Sequence, residues 1–141
     1  MLAFRLTLRP GVPVYQQVVY AAKRAIISGR MLPGERFPSV RTISQELKIN
    51  PNTAHKVVTQ LISEGLLEVH PGLGTVVANL PAPTARERAL LLKGELEALV
   101  VEAKKLQMTP EEVQSALREH WDRLRSDTGE RSVRSGKGEK V

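Results

Sequence analysis

Arg36 and Arg41 stand on either side of the pair Pro38-Ser39. A guanidinium can take a phosphate oxygen, or grip a guanine edge through two hydrogen bonds. A second polar group follows in Asn52, Thr53, His55 and Lys56. The Asn52 amide can pair with adenine, and the His55 imidazole can donate to guanine N7 or to a phosphate. Thr53 and Lys56 suit phosphate. Ser39 can also donate to phosphate, although helix capping alone accounts for a serine there. This is the chemistry of holding an anionic polymer. The patterns of bond-breaking chemistry are missing: there is no nucleophile elbow, phosphate loop or pair of catalytic carboxylates. Glu111 and Glu112 are neighbours, so on a helix they diverge, and capping explains them. His55, His70 and His120 have no ligand spacing with carboxylates, and the chain has no cysteine. No enzyme, metal site or cofactor is expected.

Those side chains need elements to position them. Residues 14–28 read as a helix with Val14, Val18, Ala21, Ala22, Ala25 and Ile26 along one side, stopped by Gly29. After a turn at 31–35, Ser39 caps a short amphipathic helix in which Val40, Ile43 and Leu47 share a face. Lys48-Ile49 is a tight connection. Asn50 caps the next helix, with Pro51 at its first position, where a missing N–H costs little. Ala54, Val57, Val58, Leu61 and Ile62 form its apolar stripe, leaving Asn52, Thr53, His55, Lys56 and Thr59 outward. Two short helices with a tight turn, the second polar on one side, make a helix-turn-helix. Residues 66–70 and 75–78 then read as a hairpin around Pro71-Gly72-Leu73-Gly74, which is a wing. Gly72 and Gly74 shape its tip and let the backbone approach a groove or phosphates, and His70 flanks it. Upstream, Phe4, Leu6 and Leu8 alternate with Arg5, Thr7 and Arg9, the pattern of a short half-buried strand.

The expected class is α+β, mainly α: a winged helix-turn-helix domain over 1–80, a stiff Pro81-Ala82-Pro83 linker, and a two-helix dimerisation hairpin over 84–125. Thr84 and Glu87 make a capping box. Ala85, Ala89, Leu92, Leu96, Leu99, Ala103 and Leu106 follow a heptad seam, and Leu91, Val100 and Val101 widen it. A second box, Thr109 with Glu112, opens a helix with Val113, Leu117, Trp121 and Leu124 on one face. A lone hairpin cannot bury both faces, so a second copy is expected on Leu92, Leu96, Leu99, Ala103, Leu106, Leu117, Trp121 and Leu124. A ligand pocket beneath Trp121 is the lesser reading, because two helices leave little room for a cavity. A small-molecule effector is thus possible but has no visible site. Residues 126–141 are polar and read as a disordered tail.

Charge follows the same division. Residues 1–80 carry nine Lys/Arg and four Asp/Glu, a balance of +5, whereas 81–141 carry +1. The excess faces an anionic partner, nucleic acid before membrane. Aromatics are only 4% of the 141 residues, so the core must be aliphatic, and burial in a dimer would help so small a core. The first ten residues are too short and polar for a signal peptide, and no apolar run approaches the roughly 20 residues of a membrane span. A bacterial cytoplasmic location is expected.

In order along the chain, Pro13-Val14-Tyr15-Gln16-Gln17-Val18, Ile27-Ser28-Gly29-Arg30-Met31-Leu32-Pro33-Gly34-Glu35, Pro38-Ser39-Val40-Arg41, Asn50-Pro51-Asn52-Thr53, and Leu61 with Glu64-Gly65-Leu66-Leu67 resemble the DNA-binding domain of the GntR family. The similarity covers roughly residues 4–78. The short helical remainder and the Asn-Pro-Asn-Thr turn resemble the YtrA-type subfamily, small dimers without a large effector domain. The resemblance implies a homodimeric, sequence-specific repressor on a palindromic double-stranded DNA operator, often controlling its own operon together with ABC-transporter genes. It also gives Arg41 the place of the operator-contacting arginine at the start of the second helix. Pro51 and His55 depart from relatives that carry arginines there, so their target sequences do not transfer. Two other readings stand beside this one. A protein-interaction winged helix would dispense with Arg36, Arg41, Asn52 and Lys56. A nonspecific architectural DNA-binding protein would carry more basic residues on its recognition helix.

Overall fold

The computed structural model describes the backbone of residues 2–139 and the side chains of residues 2–124. Residues up to Leu80 form one compact unit, and Pro81–Ser126 form a second.

In the first unit α1 spans Val14–Ile27, α2 Val40–Leu47 and α3 Pro51–Ser63. The strands β1, Leu67–His70, and β2, Gly74–Val77, pair antiparallel with Leu67 opposite Val77 and His70 opposite Gly74. Val18 and Ala22 of α1, Ile43 of α2, and Ala54, Val57 and Leu61 of α3 are all fully buried in one cluster, with Leu67 and Val77 closing it from the hairpin. Each Leu, Ile or Val so buried contributes roughly 1.5–3 kcal/mol. The buried members of the three stripes are therefore the walls of a single core, whereas Val14 and Ile62, expected on two of those stripes, are exposed.

Residues 31–35 do more than turn. The Gly34 N–H donates to the Val77 carbonyl (2.8 Å), the Val77 N–H to the Glu35 carbonyl (2.8 Å), and the Phe37 N–H to the Thr75 carbonyl (2.9 Å). Arg36 bridges Val76 in the same antiparallel sense. The wing thus has a third edge that joins it to the start of α2.

The strand expected at Phe4 to Leu8 does not form. A strand needs a neighbour for its backbone groups, and here the neighbour is a helix. The Gln17 side chain of α1 takes that role. Its Oε1 accepts from the Arg9 N–H (2.8 Å), and its Nε2 donates to the Arg9 and Val12 carbonyls (both 2.9 Å). Phe4 is buried and stacks on Phe37, with ring centroids 6.1 Å apart.

In the second unit α4, Ala85–Leu90, begins at a complete capping box of Thr84 and Glu87. It passes through a π-helical turn, Leu91–Glu95, into α5, Leu96–Lys105. The expected unbroken heptad seam is corrected here. A π turn takes up one extra residue, so Leu96, Leu99, Ala103 and Leu106 lie out of phase with Ala85 and Ala89. Gly94 sits in this turn with open space where a Cβ would stand. Gln107, at φ 59°, reverses the chain, and the Thr109 hydroxyl accepts from the Glu112 N–H (3.2 Å) to open α6, Pro110–Glu139. The helix runs as far as Glu139, through the stretch from residue 126 that was expected as a disordered tail. A helix already nucleated adds one hydrogen bond per residue as it propagates. Lys140 and Val141 lie outside the described residues. Among the described residues no helix is long and apolar enough to cross a membrane.

Candidate nucleic-acid interface

Two capped helix N-termini carry the polar residues. Ser39 caps α2, its Oγ accepting from the Thr42 N–H (3.1 Å) and lying 3.0 Å from the Thr42 hydroxyl. Asn50 caps α3, its Oδ1 accepting from the Asn52 N–H (2.7 Å). Capping leaves other first-turn N–H groups directed outward, and the helix dipole adds partial positive charge at each end. Such ends favour phosphate.

Arg41, the second residue of α2, is exposed, and so is Arg36 on the wing's third edge. Neither has an ion-pair partner among the described residues. On α3, Asn52 and His55 are exposed within the first two turns, while Ala54, Val57 and Leu61 turn inward. Thr53 is half-buried on the border of the stripe, so its hydroxyl is less outward than the helical period alone suggests. Lys56 is exposed but held: its ammonium sits 4.0 Å from the centroid of the Tyr15 ring of α1. A cation–π contact of this kind positions a charge without neutralising it. Tyr15 enters the sequence reading only within the family resemblance and not as a candidate site residue, because its contact with Lys56 joins two different helices.

At the wing, Gly72 and Gly74 have φ of 82° and 88°, which L-residues rarely adopt, and a Cβ added to either would meet nothing within 4 Å. The two glycines leave bare backbone on either side of Leu73, whose side chain is exposed. His70 faces a carboxylate, with its Nε2 3.5 Å from Glu68 Oε1. That contact competes with any phosphate for the ring. Lys48, the C-cap of α2 at φ 55°, makes the left-handed turn between the two helices of the motif.

The helical unit presents different chemistry. Leu92, Leu96, Leu99, Leu106, Leu117 and Trp121 are all exposed, Trp121 at 65%. Leu124 is half-buried, and Ala103 is buried within a single copy of the chain. An apolar cavity of about 230 Å³ lies at the hairpin turn, lined by Val100, Ala103, Met108 and Val113 among others. Trp121 does not line it.

Residues 14–77 match the family described as bacterial regulatory proteins, gntR family. The HTH-type transcriptional repressor YtrA of Bacillus subtilis strain 168 is 32% identical over 96 residues, covering 67% of this chain and 74% of YtrA. The chain belongs to the GntR family. Those 96 residues exceed the 80 of the first unit, so the likeness to YtrA reaches beyond the GntR DNA-binding domain into the helical hairpin. The uncharacterized HTH-type transcriptional regulator YhcF of the same bacterium is 30% identical over 101 residues, 72% of this chain and 84% of YhcF. In fold, the chain is similar to a transcriptional antiterminator from Listeria monocytogenes EGD-e, with a TM-score of 0.76 at 22% identity over 86% of this chain and 92% of that one. GntR membership makes the three helices and hairpin a winged-helix, DNA-binding regulator domain, and these relatives are regulators rather than enzymes.

Proposed function

We propose that this GntR-family chain is a homodimeric cytoplasmic repressor of a palindromic operator. The carrying observation is the pair of capped helix N-termini flanked by exposed Arg36, Arg41, Asn52 and His55, which have no carboxylate partner among the described residues. Arg41 grips a guanine edge or a phosphate, Asn52 and His55 read bases, and Arg36, Ser39, Thr53 and Lys56 hold phosphates. Gly72 brings the wing backbone to the duplex. Leu92, Leu96, Leu99, Leu106, Leu117, Trp121 and Leu124 form the dimer surface, with Ala103 filling the hairpin beneath them. In the dimer two recognition helices enter major grooves about one helical turn apart. The chain's targets on this reading are its own operon and ABC-transporter genes, as the resemblance to the YtrA type implies.

Selection of bound fragments from a random DNA pool, at roughly physiological salt, tests this reading. One inverted repeat is the expected result; no motif, or affinity equal for random and selected DNA, defeats it. On the selected site Arg41→Ala is expected to weaken binding by about 1–3 kcal/mol while the protein stays folded and dimeric. Affinity should also fall steeply with salt, because phosphate contacts release counterions. Unchanged operator affinity in Arg41→Ala removes that residue from the interface.

A further inference from the structure

Between the N-terminal segment and α1 lies an open cavity of about 550 Å³, outside the surface assigned to DNA. Four arginines line it, Arg5, Arg9, Arg24 and Arg30, and no aspartate or glutamate is among its lining residues. Two come from the N-terminal segment, one from the last turn of α1, and one from the loop beyond. Like charges gathered around one concavity repel one another and raise the local concentration of anions. The cavity also has an apolar side in Phe4, Leu6 and Ala25. A surface built only to hold a sugar-phosphate backbone has no use for that side. Buried Gln17 clasps the Arg9 backbone from both its N–H and its carbonyl, so the wall exists before any ligand arrives. A preformed wall lowers the ordering cost of binding.

We propose that this cavity binds a small organic anion, a phosphorylated or multiply carboxylated molecule with an apolar portion. The guanidinium groups of Arg5, Arg9 and Arg24 take its charged oxygens through paired hydrogen bonds, and Leu6 covers its apolar part. The site also has a route to the DNA-reading surface. Phe4 stacks on Phe37, Phe37 lies between Arg36 and Arg41, and its N–H donates to Thr75 of the wing. An anion that draws the N-terminal segment inward acts on the start of α2 and the base of the wing through that ring pair. The effect on DNA rests on the operator reading, whereas anion binding does not.

Calorimetric titration of the full chain with phenyl phosphate, citrate and inorganic phosphate tests the proposal, beside the double variant Arg5→Gln, Arg24→Gln. Both positions are exposed, so the thermal midpoint of the unliganded variant should match the parent. The expected result is one site per chain for phenyl phosphate or citrate, tighter than inorganic phosphate, and weakened by about tenfold or more in the variant. Equal heats for parent and variant with all three anions overturn it. Loss of selected-DNA affinity in the variant, with no anion binding to the parent, assigns these arginines to the duplex and equally overturns it. Anion binding without any selected DNA motif sustains the site and removes the operator reading; a motif without anion binding does the reverse.

Discussion

The two units of this chain solve opposite problems. Residues 1–80 bury one aliphatic cluster drawn from three helices and the hairpin, and expose arginines and amides beside scattered apolar side chains. Residues 81–126 bury Ala103 and leave leucines, valines and a tryptophan exposed. One stretch of sequence completes a core by its own folding, and the other leaves apolar side chains uncovered. Contiguous apolar surface of this kind marks an interaction site, which is why the proposed partner is a second copy. Charge differs in the same way, with +5 over residues 1–80 and no net charge over 81–126. The half that meets its ligand through water-facing cations is the half whose core is complete.

The contrast can be broken most severely from inside the first unit. Leu61 is fully buried where α3 meets the rest of the core. Leu61→Ala is expected to cost about 2–5 kcal/mol, read as a lower denaturant midpoint by circular dichroism at every protein concentration. A smaller, concentration-dependent loss would mean that the first unit also depends on a partner. In the second unit, Leu99→Ala should cost about 1.5–3 kcal/mol per copy only where the dimer forms. Sedimentation across a dilution series should show the variant dissociating at higher concentration than the parent; identical curves would take Leu99 out of the interface. The smallest effect is at Gly94, which has open space around its missing Cβ and a helical φ. Gly94→Ala should stabilise the helical unit by roughly 0.5–1 kcal/mol, seen as a higher thermal midpoint. A drop instead would show that the π turn needs glycine.

What the sequence disclosed was local. The stripe Ala54, Val57, Leu61 became a core wall, and Ser39, Asn50 and Thr84 became caps, because each depends on neighbours within one or two helical turns. The misreadings came from distance. Phe4, Leu6 and Leu8 have the period of a strand, but period says nothing about whether another strand is there to pair with. Arg36 as a wing edge, Tyr15 beneath Lys56, and the arginine-lined cavity join residues that lie far apart in the chain. The π turn escaped for another reason. A heptad pattern assumes equal turns, and one turn of five residues around Gly94 defeats the count without changing any residue's character.

That turn also bears on how this architecture can vary in length. A single-residue insertion in an α-helix ordinarily rotates everything after it by about 100°. At Leu91–Glu95 the surplus residue is absorbed as a bulge. Deleting Lys93 would relax the bulge to an ordinary turn and leave α4 and α5 in their present orientation. Homologous chains one residue shorter at this point can keep the same helical surface, so in an alignment a gap there marks continuity of structure.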